Sequence, residues 1–192
     1  PMSAMLLAPP AAEPRSLAEA KAWLRVAHDD DDALIATLVA SARAHIEKQT
    51  RRALITQTWR IVRDAWPASG RIEVYPAPLR QVLAARVYDS AGAAQAIGAE
   101  AFVIDSAAAP GVIAFAPYAL AHPGRAVAGI EIDVEAGYGA TASAVPEPLK
   151  QAIRQLVAHW YENRGAGAPD ESALRMPASV AALIAPYRVL AL

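Results

Sequence analysis

Apolar positions along the chain change their period twice. Between Ser16 and Gln49 they recur every three or four residues. From Leu54 to Glu135 they fall into short runs, and after Pro146 the helical spacing returns. Ser16-Leu17-Ala18-Glu19 has the form of a capping box, in which the hydroxyl takes a free backbone N–H and the carboxylate reaches back. It predicts a short helix with Leu17, Ala20, Trp23 or Leu24 and Ala27 on one face. His28 leads into Asp29-Asp30-Asp31-Asp32, and acidic residues favour the positive end of a helix dipole. A second helix is expected from about Asp31 to Gln49, with Leu34, Ile35, Leu38, Val39, Ala42 and Ile46 as its apolar stripe. Lys48, Arg51 and Arg52 put cations at its negative end.

At Leu54 the pattern shortens. Thr56, Thr58, Trp59, Ile61 and Val62 are strand formers without helical period. Further strands are expected at Arg71–Tyr75, Gln81–Tyr88, Phe102–Asp105, Val112–Phe115 and Ile130–Glu135. Turn residues separate them at Pro67–Gly70, Pro76, Pro78, Asp89–Gly92, Pro110-Gly111 and Pro123-Gly124. Five or six such strands suggest a small antiparallel sandwich or barrel. Beyond Pro146, Leu149, Ile153, Leu156, Val157 and Trp160 form a helical stripe, with Pro148 in the first turn. Gly165–Ser172 reads as a mobile loop, and a last short helix, about Ala178 to Ile184, stops before Pro186.

The predicted fold class is α+β: a helical domain of about four helices interrupted by a small antiparallel β-sandwich or barrel. Residues 1–53 would supply a Pro- and Ala-rich extended arm, over about residues 1–15, and the first two helices. Residues 54–136 would form the β insertion, and residues 137–192 the remaining helices and a C-terminal tail. Neither helical half buries its stripe alone, so the two halves are expected to share one domain.

Composition narrows the function. Hydrophobic residues make up 55% of the 192, but a quarter of the chain is alanine, so the core must come from fewer large side chains. The net charge of −1 lacks the basic excess of a protein held to nucleic acid by bulk charge. There is no cysteine, which excludes disulfides and thiolate metal sites and suits a reducing cytoplasm. Met2–Ala12 lacks the basic start of a signal peptide, and no apolar run approaches the roughly 20 residues of a membrane span. The first residue, Pro1, suggests a removed initiator methionine or a trimmed end. The expectation is a soluble protein, intracellular where it is made, with no membrane partner.

Candidate chemistry is sparse. Four consecutive aspartates at a helix start point in different directions, which favours helix capping over a metal site. An intersubunit salt bridge is the further option. His28, His45, His122 and His159 show no metal-ligand spacing, and there is no nucleophile elbow, phosphate loop or dinucleotide fingerprint. Gly137-Tyr138-Gly139 reads as a tight exit from the β module. No catalytic, cofactor-binding or metal residue is predicted, and no cofactor. Trp160 continues the stripe and is expected in the core. Tyr161, Glu162 and Arg164 fall off it and are candidates for solvent or a neighbouring subunit. Arg51 and Arg52, with Arg60 and Arg63, form the one local basic cluster, which would face a DNA channel, a neighbouring subunit's acids, or solvent.

Several segments together carry a resemblance. They are Ser16-Leu17-Ala18-Glu19-Ala20-Lys21 with Leu24-Arg25-Val26 and Asp29–Asp32; Arg52-Ala53-Leu54-Ile55-Thr56-Gln57-Thr58-Trp59; and Ala136-Gly137-Tyr138-Gly139. To these add Val145-Pro146, Ile153, Leu156-Val157 and His159–Arg164, and the closing Pro186-Tyr187-Arg188. In order and spacing, from about Pro14 to Val189, the chain resembles the gp6-like head–tail connector family of tailed phages. The resemblance implies a structural subunit, not an enzyme. It would form a dodecameric ring between the portal protein and the stopper or tail-completion protein. That ring would extend a channel through which double-stranded DNA passes without sequence-specific binding. It further implies assembly in the bacterial host cytoplasm and a final place in the neck of a phage or gene transfer agent particle, with a role in DNA packaging and ejection. The free chain is expected as a monomer or weak oligomer, templated into a ring by the portal. Leu183, Ile184, Pro186, Tyr187, Arg188, Val189 and Leu190 are too apolar for an idle terminus, and the resemblance implies that this segment docks on the portal. Two rival readings are a small ligand-binding or enzymatic β module with helical flanks, and a nucleic-acid-binding regulator.

Overall fold

A computed structural model describes residues 2–163 and 176–189. The chain divides into two compact units. One comprises the residues up to Ala11 with Thr56–Tyr138, the other Ala12–Ile55 with the residues from Gly139 onward. The expected loop at Gly165–Ser172 lies outside the described residues.

In the helical unit, the described residues form α1 (Leu17–Leu24), α2 (Asp32–Thr50), α3 (Glu147–Glu162) and α4 (Ala178–Ile184). The capping box at Ser16 is formed in both directions: Glu19 N–H donates to Ser16 Oγ at 3.2 Å, and Ser16 N–H to Glu19 Oε2 at 2.8 Å. α1 ends early because Arg25 takes a left-handed conformation, φ 58°, so Ala27 never joins it. Of its expected apolar face only Ala20 is buried, and Trp23 remains 47% exposed. α2 buries Ile35, Val39, Ala42 and Ile46, and α3 buries Leu149, Ala152, Ile153, Leu156 and Val157. The two helices pack together, and α4 packs mainly on α3, adding Val180 and Ile184 to the core. Each fully buried Ile or Leu here contributes on the order of 2 kcal/mol. Trp160 is partly buried rather than a core residue; its ring and that of His45 meet in a T-shaped arrangement with centroids 5.9 Å apart.

The other unit contains eight strands: β1 (Met2–Ala8), β2 (Gln57–Arg63), β3 (Arg71–Val74), β4 (Leu79–Tyr88), β5 (Ala94–Ile97), β6 (Phe102–Asp105), β7 (Gly111–Phe115) and β8 (Ile130–Ala136). They form a five-stranded sheet ordered β1-β2-β8-β4-β5 and a three-stranded sheet ordered β3-β7-β6, with neighbouring strands antiparallel throughout. Both sheets feed one core. Ile61, Val82, Val87, Ile130, Ile132 and Val134 come from the larger, and Ile72, Val74, Phe102, Ile113 and Phe115 from the smaller. Trp66 closes one end, its centroid 4.9 Å from that of Phe115 and its indole N–H donating to the Ala121 carbonyl at 2.9 Å. Two glycines permit the construction. Gly70 sits at φ +66° in the turn before β3, where an added Cβ would lie 2.6 Å from the Phe115 carbonyl oxygen. A Cβ on Gly111 would lie 2.4 Å from that of Leu79, so the glycine lets β7 approach β4 closely.

The α+β class with a small antiparallel β-sandwich is what the pattern predicts. The N-terminal arm differs. Met2–Ala8 is extended, but as a strand laid along β2, and it belongs with the β unit rather than with the helices. Gln57 and Ala136 are register partners, so the chain enters and leaves the β unit side by side.

Candidate interaction surfaces

The end of α2 is built by Glu47. Arg51, at φ 55°, turns the chain out of the helix, and the N–H groups of Arg51 and Arg52 both reach the Glu47 carbonyl. The Glu47 carboxylate accepts from the Leu54 N–H at 2.8 Å and from Arg43 at 2.7 Å, which fixes the exit. Onto this corner comes the C-terminal segment. The Val189 N–H donates to the Thr50 carbonyl at 3.0 Å, and Arg52 Nε donates to the Tyr187 carbonyl at 2.7 Å. Two groups expected separately from the sequence, Arg51-Arg52 and the tail, therefore form one site. Positive charge from Arg51, Arg52 and Arg188 is brought to the carbonyl end of α2, where the dipole is negative.

The tail's apolar residues divide. Ile184 and Val189 are buried in the helical unit, Leu183 and Tyr187 are partly buried, and Pro186 and Arg188 are exposed. Leu190 and Arg164 lie outside the described residues.

At the opposite end of α2 three of the four aspartates do something other than capping. Asp31 holds the N-cap position but makes no side-chain cap bond; its carboxylate accepts the Tyr161 hydroxyl. Asp29 and Asp32 both pair with Lys21 at 2.6 Å. Lys21 is held above its ordinary pKa by hydrogen bonds to Asp29 and then Asp32. The acids thus join α1, α2 and α3, while Asp32 in the first turn still meets the helix dipole. Tyr161 is engaged within its own unit, whereas Glu162 is exposed.

The basic cluster read from the sequence splits between the units. Arg51 and Arg52 stay at the end of α2, while Arg60 and Arg63 lie on β2. Arg60 is neutralised in place. Its guanidinium forks onto Asp133 at 2.6 and 2.9 Å and lies 3.2 Å from Glu131. Arg86 reaches Asp133 at 2.9 Å from the other side, and the Tyr88 hydroxyl donates to Glu131 at 3.0 Å. Hydrogen bonds from Arg60 hold the Asp133 carboxyl below the usual aspartate range. This face of the larger sheet is a grid of alternating charge, and Arg60 is committed to it rather than to a phosphate. The grid has no local signature in the sequence, because β2, β8 and β4 become neighbours only through the sheet order.

The comparisons with known proteins agree with this architecture. The family model described as phage gp6-like head–tail connector protein matches residues 14–89 and 124–188. A chain in the neck of an empty gene transfer agent particle, computed with C6 symmetry, is 29% identical with a TM-score of 0.81. That match covers 99% of this chain and 97% of the other. A chain in the virion of a native gene transfer agent particle gives the same identity and TM-score over 98% and 96%. A chain in the neck of a native particle computed with C12 symmetry is 32% identical over 98% and 97%, with a TM-score of 0.72. No curated protein matches. With its two matched segments spanning well over half of its length, this chain belongs to the phage gp6-like head–tail connector family.

Proposed function

We propose that this connector subunit acts as a ring in the neck of a phage or phage-like particle, joining the portal to the stopper or tail and lining part of the path taken by double-stranded DNA. The observation that carries the reading is the near-complete match, over 98–99% of this chain, to chains of gene transfer agent necks computed with sixfold and twelvefold symmetry. The role is mechanical: identical subunits with two different complementary faces close into a ring, twelve copies suiting the higher symmetry. Assembly begins in the host cytoplasm. Arg60 is already neutralised by Asp133 and Glu131, which suits a conduit that must let DNA slide past rather than grip it.

For the attachment to the portal, the corner at the end of α2 is the proposed contact. Pro186, Tyr187 and Arg188 face outward or partly outward there, on a segment pinned by Ile184 and Val189. Arg51, Arg52 and Glu162, with Tyr161 as a partly buried neighbour, are the residues assigned to intersubunit or channel contacts. Purification of particles with quantification of this chain tests the ring: about a dozen copies per particle are expected, and a chain that stays in the soluble fraction would overturn it. Arg188→Glu tests the corner. The variant should fold normally and lose attachment to portal-containing heads; undiminished attachment removes the tail from the interface.

A further inference from the structure

Among the described residues, the five-stranded sheet ends on each side in a strand with a single neighbour. β1 has the sequence MSAMLLA and β5 the sequence AQAI, and neither contains a charge or a proline. Ser3, Ala4, Met5, Leu6 and Leu7 are all exposed, as are Ala94, Gln95 and Ala96. An edge strand carries a row of main-chain N–H and C=O groups pointing away from its one partner. Soluble proteins normally guard such rows with lysine, proline or a bulge. The one irregularity in β1 falls between Leu6 and Ala8, at its end, and leaves Met2–Leu6 regular.

We propose that β1 of one copy of this chain pairs with β5 of the next, so that the five-stranded sheets continue from subunit to subunit. Three observations select a second copy as the occupant. First, each pairing in β1-β2-β8-β4-β5 is antiparallel, so the two outermost strands run in the same direction. The small turn between neighbours in a many-membered ring therefore brings β5 to β1 without inversion, as a parallel pair. Second, the edges are chemically matched: both are uncharged, and the small Ala94 and Ala96 leave room beside the larger Met5 and Leu7 of β1. Third, a heterologous ring needs two different surfaces on every subunit, and the opposite edges of one sheet are such a pair. The proposal rests on the ring reading above.

Ser3, Val62, Glu131, Arg86 and Ala96 occupy one cross-strand row, so Ser3 and Met5 lie on the same face as Ala94 and Ala96. Within one subunit β1 and β5 are four strand spacings apart, about 19 Å at ~4.8 Å each. A disulfide spans Cα atoms no more than about 7 Å apart, so cysteines on these two strands can bond only between copies. The chain has no cysteine of its own. Particles assembled with Ser3→Cys or Met5→Cys, each combined with Ala94→Cys or Ala96→Cys, are mildly oxidised and run on a non-reducing gel. A ladder of covalent multimers from at least one pair is expected, with the single-cysteine variants staying monomeric. Particles that carry the normal number of copies yet give no ladder with any pair overturn the strand pairing and leave the ring reading standing. Dimers from a single Ser3→Cys or Met5→Cys variant also overturn it, because they mean β1 pairs with another β1. If the unsubstituted chain is absent from particles, the ring reading fails and this proposal with it.

Discussion

In the helical unit, polar side chains are turned inward on the unit itself. Arg15 bridges Glu19 and Glu147, Lys21 holds Asp29 and Asp32, Tyr161 is bound to Asp31, and Arg52 is bound to the tail. Helices satisfy their own backbone except at the ends, and here Ser16 and Glu47 manage two of those ends. The β unit has a core of its own and a charge-balanced outer face, but the edge strands of its larger sheet leave an outer row of N–H and C=O groups to solvent, a row that another strand can take up. The difference separates the two proposed kinds of interface: side-chain docking would fall to the helical unit, where Pro186 and Arg188 are exposed, and backbone pairing to the β unit, where β1 and β5 are the edge strands.

The sharpest way to break this comparison is to separate the units. Joining Ile55 to Gly139 by a short Gly/Ser linker removes Thr56–Tyr138, and dropping the residues before Ala12 removes β1. Because Gln57 and Ala136 are paired, the cut ends start close together. The excised helical unit should keep its helical circular dichroism and melt cooperatively. Ile153→Ala, at a fully buried site in α3, should then lower its stability by about 2–5 kcal/mol. Loss of helical signal on excision would show that the helices depend on the β unit.

A smaller effect is expected at the charge grid. Arg60→Ala leaves Asp133, 7% exposed, with Arg86 as its remaining close cation, and should cost about 1–3 kcal/mol. The effect carries a pH signature. The folded pKa of Asp133 lies below its ordinary 3.8, first through hydrogen bonds from Arg60. Its contribution is therefore present above the unfolded value and is lost as pH falls through the folded one. In urea titrations the difference between the original protein and Arg60→Ala should be constant near neutral pH and shrink below about pH 4. A difference that stays constant into strong acid would assign the loss to the guanidinium's packing instead.

Ser16→Ala removes half of the capping box and should cost about 1 kcal/mol. That box was legible from four residues because both partners lie within one turn. The α2 and α3 stripes were legible too, since period alone marks them. Other features were not. Strand β1 hides in a Pro- and Ala-rich opening, although its seven uncharged residues ahead of Pro9-Pro10 have the length of a strand. Strand β5 is half alanine, which has little strand preference. Aspartate at a helix start reads as a cap, yet three of the four carboxylates are claimed by Lys21 and Tyr161 because α1 and α3 pass nearby. The Arg52–Tyr187 contact joins positions 135 residues apart and has no local signal.

The smallest effect on the folded subunit should come from Met5→Lys. Met5 is 49% exposed on an edge strand, and surface substitutions of this kind stay within about 0.5 kcal/mol. An edge lysine is nevertheless one of the devices by which sheets refuse a neighbouring strand. If β1 is paired with β5 of the next copy, this change should leave the melting temperature almost unmoved while reducing the number of copies in purified particles. The parallel pairing supplies a second arm, because Ala96 lies on the same face of the opposite edge. Adding Ala96→Glu to Met5→Lys places opposite charges across the proposed junction, and opposite-charge neighbours on adjacent strands attract. Incorporation should recover in the double variant and not when Ala96→Lys is added instead. Equal incorporation of the original protein, the single variant and both doubles would show that the sheet edges are bystanders and that the ring is closed by the helical unit alone.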